Sequence, residues 1–168
     1  SAPHPAHLKE LLGKTAKLTF QLVDVSADYA AAQRGNVPIG DELLPMQVPK
    51  GAPPQAPVLV QKRIMVGGNN LTNASSGFNP QTGEPEVIIR FDNTGARLFG
   101  DVTKANVNKP FAIVLDKQVL SAPNIREPIL GGTASISGSF TAQSASDLAV
   151  LLRAGALPTP LTVIEERT

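Results

Sequence analysis

Five consecutive apolar residues, Phe-Ala-Ile-Val-Leu at 111–115, stand between Pro110 and the polar pair Asp116–Lys117. Successive side chains of a strand point to opposite faces, so an unbroken apolar run needs cover on both. Asp116–Lys117 reads as a tight turn, and "KQVLSAPNI" returns beside the run as a second strand. The fold must therefore hold this hairpin between two layers.

The elements around it follow from spacing. Residues 5–12, with Ala6, Leu8, Leu11 and Leu12 on one face, predict a helix that Gly13 stops. "KLTFQLV" (17–23) alternates, with Leu18, Phe20 and Leu22 pointing one way, and predicts a half-buried strand. From Asp24 to Pro57 the prolines at 38, 45, 49, 53, 54 and 57 predict a long, partly extended loop, with a short helix around "SADYAAAQR". "VLVQKRIMV" (58–66) and "EVIIRFD" (86–92) read as strands. Asp92 or Asn93 caps a helix over roughly 94–107, whose stripe is Ala96, Phe99, Val102 and, less strictly, Leu98 and Ala105. "TASISGSF" (133–140) alternates again. Thr141 then caps a helix with Ala145, Leu148, Ala149 and Leu152 inward and Gly155 at its end. "LTVIEER" is the last strand. Strands outnumber helices, and both β-hairpin and β-α-β order occur, which is an α+β pattern: a mainly antiparallel sheet with helices packed on one face. Strands 17–23 and 161–167 bracket the rest, making the middle an insertion crossed near Asp24 and near Pro158.

Composition narrows the function. The net charge is +1, with 17% charged residues against roughly 25% in an average domain. Nothing here favours nucleic acid or an acidic surface. There is no cysteine, hence no disulfide and no thiolate metal site. No apolar run approaches the ~20 residues of a membrane span. His4 and His7 are one helical turn apart, but no third ligand is nearby. Asp116 ends a buried strand, yet Asp-Lys is ordinary turn chemistry. Gly67–Gly68 and Gly131–Gly132 lack phosphate-loop spacing and read as turns or close backbone approaches. Two glycosylation sequons begin at Asn70 and Asn73, a pattern short enough to match by chance. These residues predict no active site, metal or cofactor, and hence a binding or mechanical module rather than an enzyme. The loops 36–57 and 67–85 are the expected binding surface, where Leu43, Leu44, Met46 and Phe78 offer adaptable apolar contact.

"LLGKTAKLTF" (11–20), "FAIVLD" (111–116), "SAPNI" (121–125), "ISGSFT" (136–141) and "LLRAGALPTPL" (151–161) are motifs in an order that closely resembles the SecD/SecF family. The resemblance is to the first large periplasmic domain of the Sec export accessory membrane protein, and it spans nearly the whole chain except residues 24–57. It implies a head that swings on a base, the base being truncated and ferredoxin-like here. The head would be 25–157, and 1–24 with 158–168 the remnant of the base. The two crossings, Leu22–Val23–Asp24 and Leu157, Pro158, Pro160 and Leu161, are the expected hinge, since proline restricts the torsions that turn. The resemblance also implies unfolded preprotein, SecF and the SecYEG channel as partners. It implies a periplasmic location, proton-motive force as the energy source, and membrane attachment through helices outside this segment of a larger protein. The alternative is a structural docking module for other Sec subunits that never touches clients.

Overall fold

The computed structural model describes residues 17–48, 51–137 and 140–156. The helix expected over 5–12, His4 and His7, and the strand expected over 161–167 lie outside them.

Strand β1 (Leu18–Leu22) runs between β4 (Val66–Gly67) and β7 (Phe111–Leu115), and β7 also pairs with β8 (Gln118–Ser121). All these pairings are antiparallel. The β7–β8 turn places Asp116 at φ 50° and Lys117 at φ 69°, the two left-handed residues that a tight hairpin needs. Every residue of β7 is buried, as its unbroken apolar run requires. Phe111, Ile113 and Leu115 enter the main core on one face, while Ala112 and Val114 enter a second, smaller core on the other.

The second cover is the hairpin of β2 (Asp41–Leu44) and β3 (Val58–Gln61), which brings Leu44 and Val60 onto Ala112, Val114 and Val119. Segment 24–57 holds the short helix that the sequence predicts, α1 (Tyr29–Gln33), capped by Asp28, while its reading as a loop is corrected at β2. β2 has only four residues between prolines, too few to show a period. The single strand expected over 58–66 is two strands, because the chain leaves the hairpin after Gln61 and enters the main sheet at Val66. The half-buried reading of β1 also changes. Thr19 and Gln21, on its polar face, lie buried under the hairpin. Their burial is compensated: Thr19 donates to Gln21 Oε1 at 2.7 Å, and Gln21 Nε2 donates to the Gln61 carbonyl at 2.8 Å and Glu42 Oε2 at 3.2 Å.

A third sheet, β5 (Leu71–Phe78), β6 (Pro85–Phe91) and β9 (Thr133–Ile136), is also antiparallel. Helix α2 (Asn93–Ala105) starts at Asp92, whose carboxylate accepts from Gly95 N–H at 2.7 Å. Phe99 and Val102 are buried as expected, whereas Leu98 is 38% exposed and Ala105 also faces solvent. Thr103 takes an inward place instead, donating to the Phe99 carbonyl and accepting from Ile129 N–H. A side chain at Gly95 would sit 2.7 Å from Asn70 Cβ, so this helix start needs glycine to lie against the 3₁₀ turn Gly68–Asn70. Helix α3 (Ala142–Ala156) is capped by Thr141, which exchanges hydrogen bonds with Ser144, and it buries Ala145, Leu148, Ala149 and Leu152.

Four of the six phenylalanines join the sheets. Phe20 and Phe111 come from the first sheet, Phe91 from the third, and Phe99 from α2, with ring centroids 4.9–5.8 Å apart. Phe99 meets all three others. Phe99→Ala is expected to lower the unfolding free energy by about 3–5 kcal/mol, measured by urea denaturation.

At the mouth of the hairpin Asp41 is buried beside Asp24. Two ionised carboxylates offer each other no donor, and Asp41 Oδ2 has no other partner. Protonated, it donates to Asp24, whose Oδ1 also accepts from the Ser26 N–H and hydroxyl. Burial and the neighbouring Asp24 raise the Asp41 carboxyl from 3.8 to about 6. Asp24 is lowered, first by its bond to Asp41 and then by Ser26. Between pH 3.8 and about 6 the folded state holds the Asp41 proton that the unfolded state has released, so stability falls as pH rises through that window. Asp41→Asn keeps the donor and cannot ionise. It is expected to stabilise by roughly 1–2 kcal/mol at pH 7.5, after discounting for solvent screening, and to give no gain below about pH 3.8. Parallel urea melts at the two pH values check this.

Candidate functional site

Beside the hairpin cover, β1 and the β7–β8 turn line a cleft of about 320 Å³. Lys17, Thr19, Gln21, Lys62, Ile64, Asp116 and Lys117 line it. Its geometry is structural on one side. Asp116 Oδ1 accepts from Lys17 N–H at 2.9 Å, tying the turn to the start of β1. Lys117 Nζ lies 3.2 Å from Glu42 Oε1, tying the same turn to β2. Asp116, the sequence candidate at a strand end, is thus a turn residue with a backbone partner. Among the described residues no group of three or more His, Asp or Glu is placed to hold a metal.

The expected apolar contacts do not form one patch. Leu44 is 6% exposed and Met46 packs against the same small core, where it bridges to Val119. Leu44 is interior packing, a correction to its reading as a surface contact, because its strand covers the main sheet, whereas Met46, just beyond that strand, is half-buried. Leu43 is half-buried. Phe78 is 61% exposed, at the end of β5 where it pairs with Pro85 beside the 79–84 turn. That turn is shaped by Asn79, whose side chain accepts from Gln81 and Thr82 N–H, and by Gly83 at φ 76°. Spacing did not single out Ile39, which is fully exposed in the turn before β2, or Leu130, which is 66% exposed before β9. Each follows or precedes glycine or proline in a short stretch without a period, so nothing local separates it from a core residue.

The first expected crossing is also placed. Leu22 pairs with Phe111, Val23 bridges to Val60, and Asp24 N–H donates to the Leu59 carbonyl at 3.0 Å. Leu18 and Phe20 share one core with residues as distant as Leu152. Among the described residues, a boundary at Asp24 therefore cuts a continuous sheet and a continuous core. Leu157, Pro158, Pro160 and Leu161 lie outside the described residues. Asn69 and Asn70 carry no charge into the Gly67–Gly68 region, and Asn70 instead donates to Asp92, 3.4 Å away. Both glycines there are close approaches: a side chain at Gly68 would meet the Leu18 carbonyl at 3.4 Å.

Comparison with known proteins gives this architecture a family. The family model for the SecDF P1 head subdomain matches residues 41–159. Protein translocase subunit SecD of Rickettsia conorii is 46% identical over 165 residues, covering 98% of this chain and 31% of that protein. SecD of Acetobacter pasteurianus is 48% identical over 164 residues, covering 98% of this chain and 30% of that protein. The chain thus spans about a third of the length of the curated relatives it matches. SecDF in its super-membrane-facing form superposes with a TM-score of 0.65 at 31% identity, over 90% of this chain and 20% of that one. A second SecDF structure, described as a membrane component that enhances protein export, gives 0.63 at 29% identity, over 95% of this chain and 74% of that one. No helix among the described residues is long and apolar enough to cross a membrane. With the family model covering residues 41–159 and SecD relatives aligned over 98% of its length, the chain belongs to the SecDF family through its P1 head subdomain.

Proposed function

We propose that this chain is the head-bearing part of the periplasmic domain of a Sec export accessory subunit. The head holds emerging preprotein, and its motion on a base, driven by proton-motive force, promotes completion of translocation alongside SecF and the SecYEG channel. Phe78 carries this reading: a large ring left 61% exposed at the tip of the longest hairpin, on a domain with little charge to repel varied clients. Ile39 extends the same character to the turn before β2. Leu43 keeps a place at the margin, while Leu44 and Met46 act by holding the hairpin down.

The base–head motion is proposed with β1 travelling as part of the head, because its pairing and its core belong to the head strands. The crossing at Leu157, Pro158, Pro160 and Leu161 retains its proposed role as a tether. The exposed side chains offer clients contact rather than reaction, and the domain is proposed to act without catalysis.

Photo-reactive probes at Phe78 and Ile39 in full-length SecD are expected to label an arrested export intermediate, while a probe at buried Leu44 labels only this domain. Labelling of other Sec subunits with none of the preprotein would establish the docking-module reading instead. The pivot has its own test. Val23 and Val60 face each other across an isolated antiparallel bridge, so Val23→Cys with Val60→Cys is placed to form a disulfide. Oxidised and reduced forms are expected to support export within about twofold of each other. Loss of export on oxidation, restored by reductant, would put the pivot back at Leu22–Asp24.

A further inference from the structure

The third sheet has an edge that its sequence leaves unguarded. Phe91 N–H points to Gly132 on the β9 side, and Asp92 N–H points to Asn70 on the β5 side. Alternation along β6 therefore turns Arg90, Ile88 and Glu86 toward β5. Their partners Asn73, Ser75 and Gly77 turn inward, which leaves the backbone groups of Ala74, Ser76 and Phe78 pointing away from the sheet. No other described strand pairs there. Natural edge strands are usually blunted by lysine, proline or inward charge. "LTNASSGF" contains none of these.

One group does occupy the edge. Arg153, on α3, donates from Nη1 to the Ala74 carbonyl at 2.9 Å. A guanidinium satisfies that acceptor without supplying a strand, and it leaves Ser76 and Phe78 open. We infer that the free edge of β5 is a strand-addition site for an extended polypeptide segment, with Arg153 as a displaceable guard on Ala74. This rests on the client-binding reading and names how the client is held: by main-chain hydrogen bonds, which every unfolded sequence can make, beside the exposed Phe78 ring.

The occupant is a lone strand rather than a second copy of this chain. Helix α3 packs chiefly on β5 and less on β6, so it lies close to the edge. Two copies paired antiparallel through β5 would put both α3 helices on one face. Strands sit about 4.8 Å apart and packed helices need about 8–10 Å. The helices would collide, whereas a bare extended segment brings none.

The test uses this protein and an uncharged octapeptide of alternating Val and Thr, with a second peptide N-methylated at every other residue. Binding of the first is expected to slow hydrogen exchange at the Ser76 and Phe78 amides. The N-methylated peptide, keeping its side chains and losing one row of donors, is expected to bind at least tenfold more weakly. Arg153→Gln is expected to tighten binding of the first peptide about three- to tenfold by freeing Ala74. Equal binding of the two peptides, or protection elsewhere with Ser76 and Phe78 unchanged, overturns the edge site while leaving client binding intact. No binding of either peptide, together with no preprotein labelling from Phe78, overturns both. Protection of these amides that grows with protein concentration and without peptide assigns the edge to self-association and likewise overturns the proposal.

Discussion

Contact among Phe20, Phe91, Phe99 and Phe111 is the constraint on which the rest of this structure depends. The rings come from the helix α2 and from three strands, β1, β6 and β7, that belong to two different sheets. Aromatic side chains bury more apolar area than any others, and edge-on or tilted pairs add a favourable electrostatic term. A domain with few aromatic residues has concentrated most of them at one joint. Once the joint forms, the position of α2 is fixed, and with it the capped start at Asp92 and the close approach of Gly95 to Asn70.

The second layer is organised differently. Strands β2 and β3 supply a small apolar patch, while the polar side chains beneath them are held by hydrogen bonds running from Thr19 through Gln21 to Glu42 and Lys117. Burying such groups costs free energy unless each finds a partner, and here the partners come from three separate parts of the chain. The Asp24–Asp41 pair sits at the same seam. The hairpin is thus fastened by polar groups over a modest core, in contrast to the apolar joint below the sheet.

Much of this was legible in the residues. The run at 111–115 required cover on both faces and has it. The caps at Asp92 and Thr141 and the inward face of α3 follow from spacing and side-chain chemistry alone. The candidate contacts were less legible. Leu43, Leu44 and Met46 stand among prolines in a stretch with no period, and the same composition serves an exposed loop or a short covering strand. Leu22–Asp24 looked like a crossing because a strand ends there. Its pairing with Val60 and Leu59 depends on residues more than thirty positions away.

By itself the sequence determined the local events: which segments alternate, where helices start, where the chain turns at Asp116–Lys117, and which family's motifs it carries. Those depend on neighbours a few residues apart, whose side chains and torsions are written next to each other. Only the tertiary structure decided that Thr19 and Gln21 are buried, that Leu44 is core, that β1 pairs with β7, and that β5 is the edge of its sheet among the described residues, with Arg153 on the Ala74 carbonyl. Each of these is set by what lies across a face or beyond an edge, and a sheet takes those neighbours from anywhere along the chain.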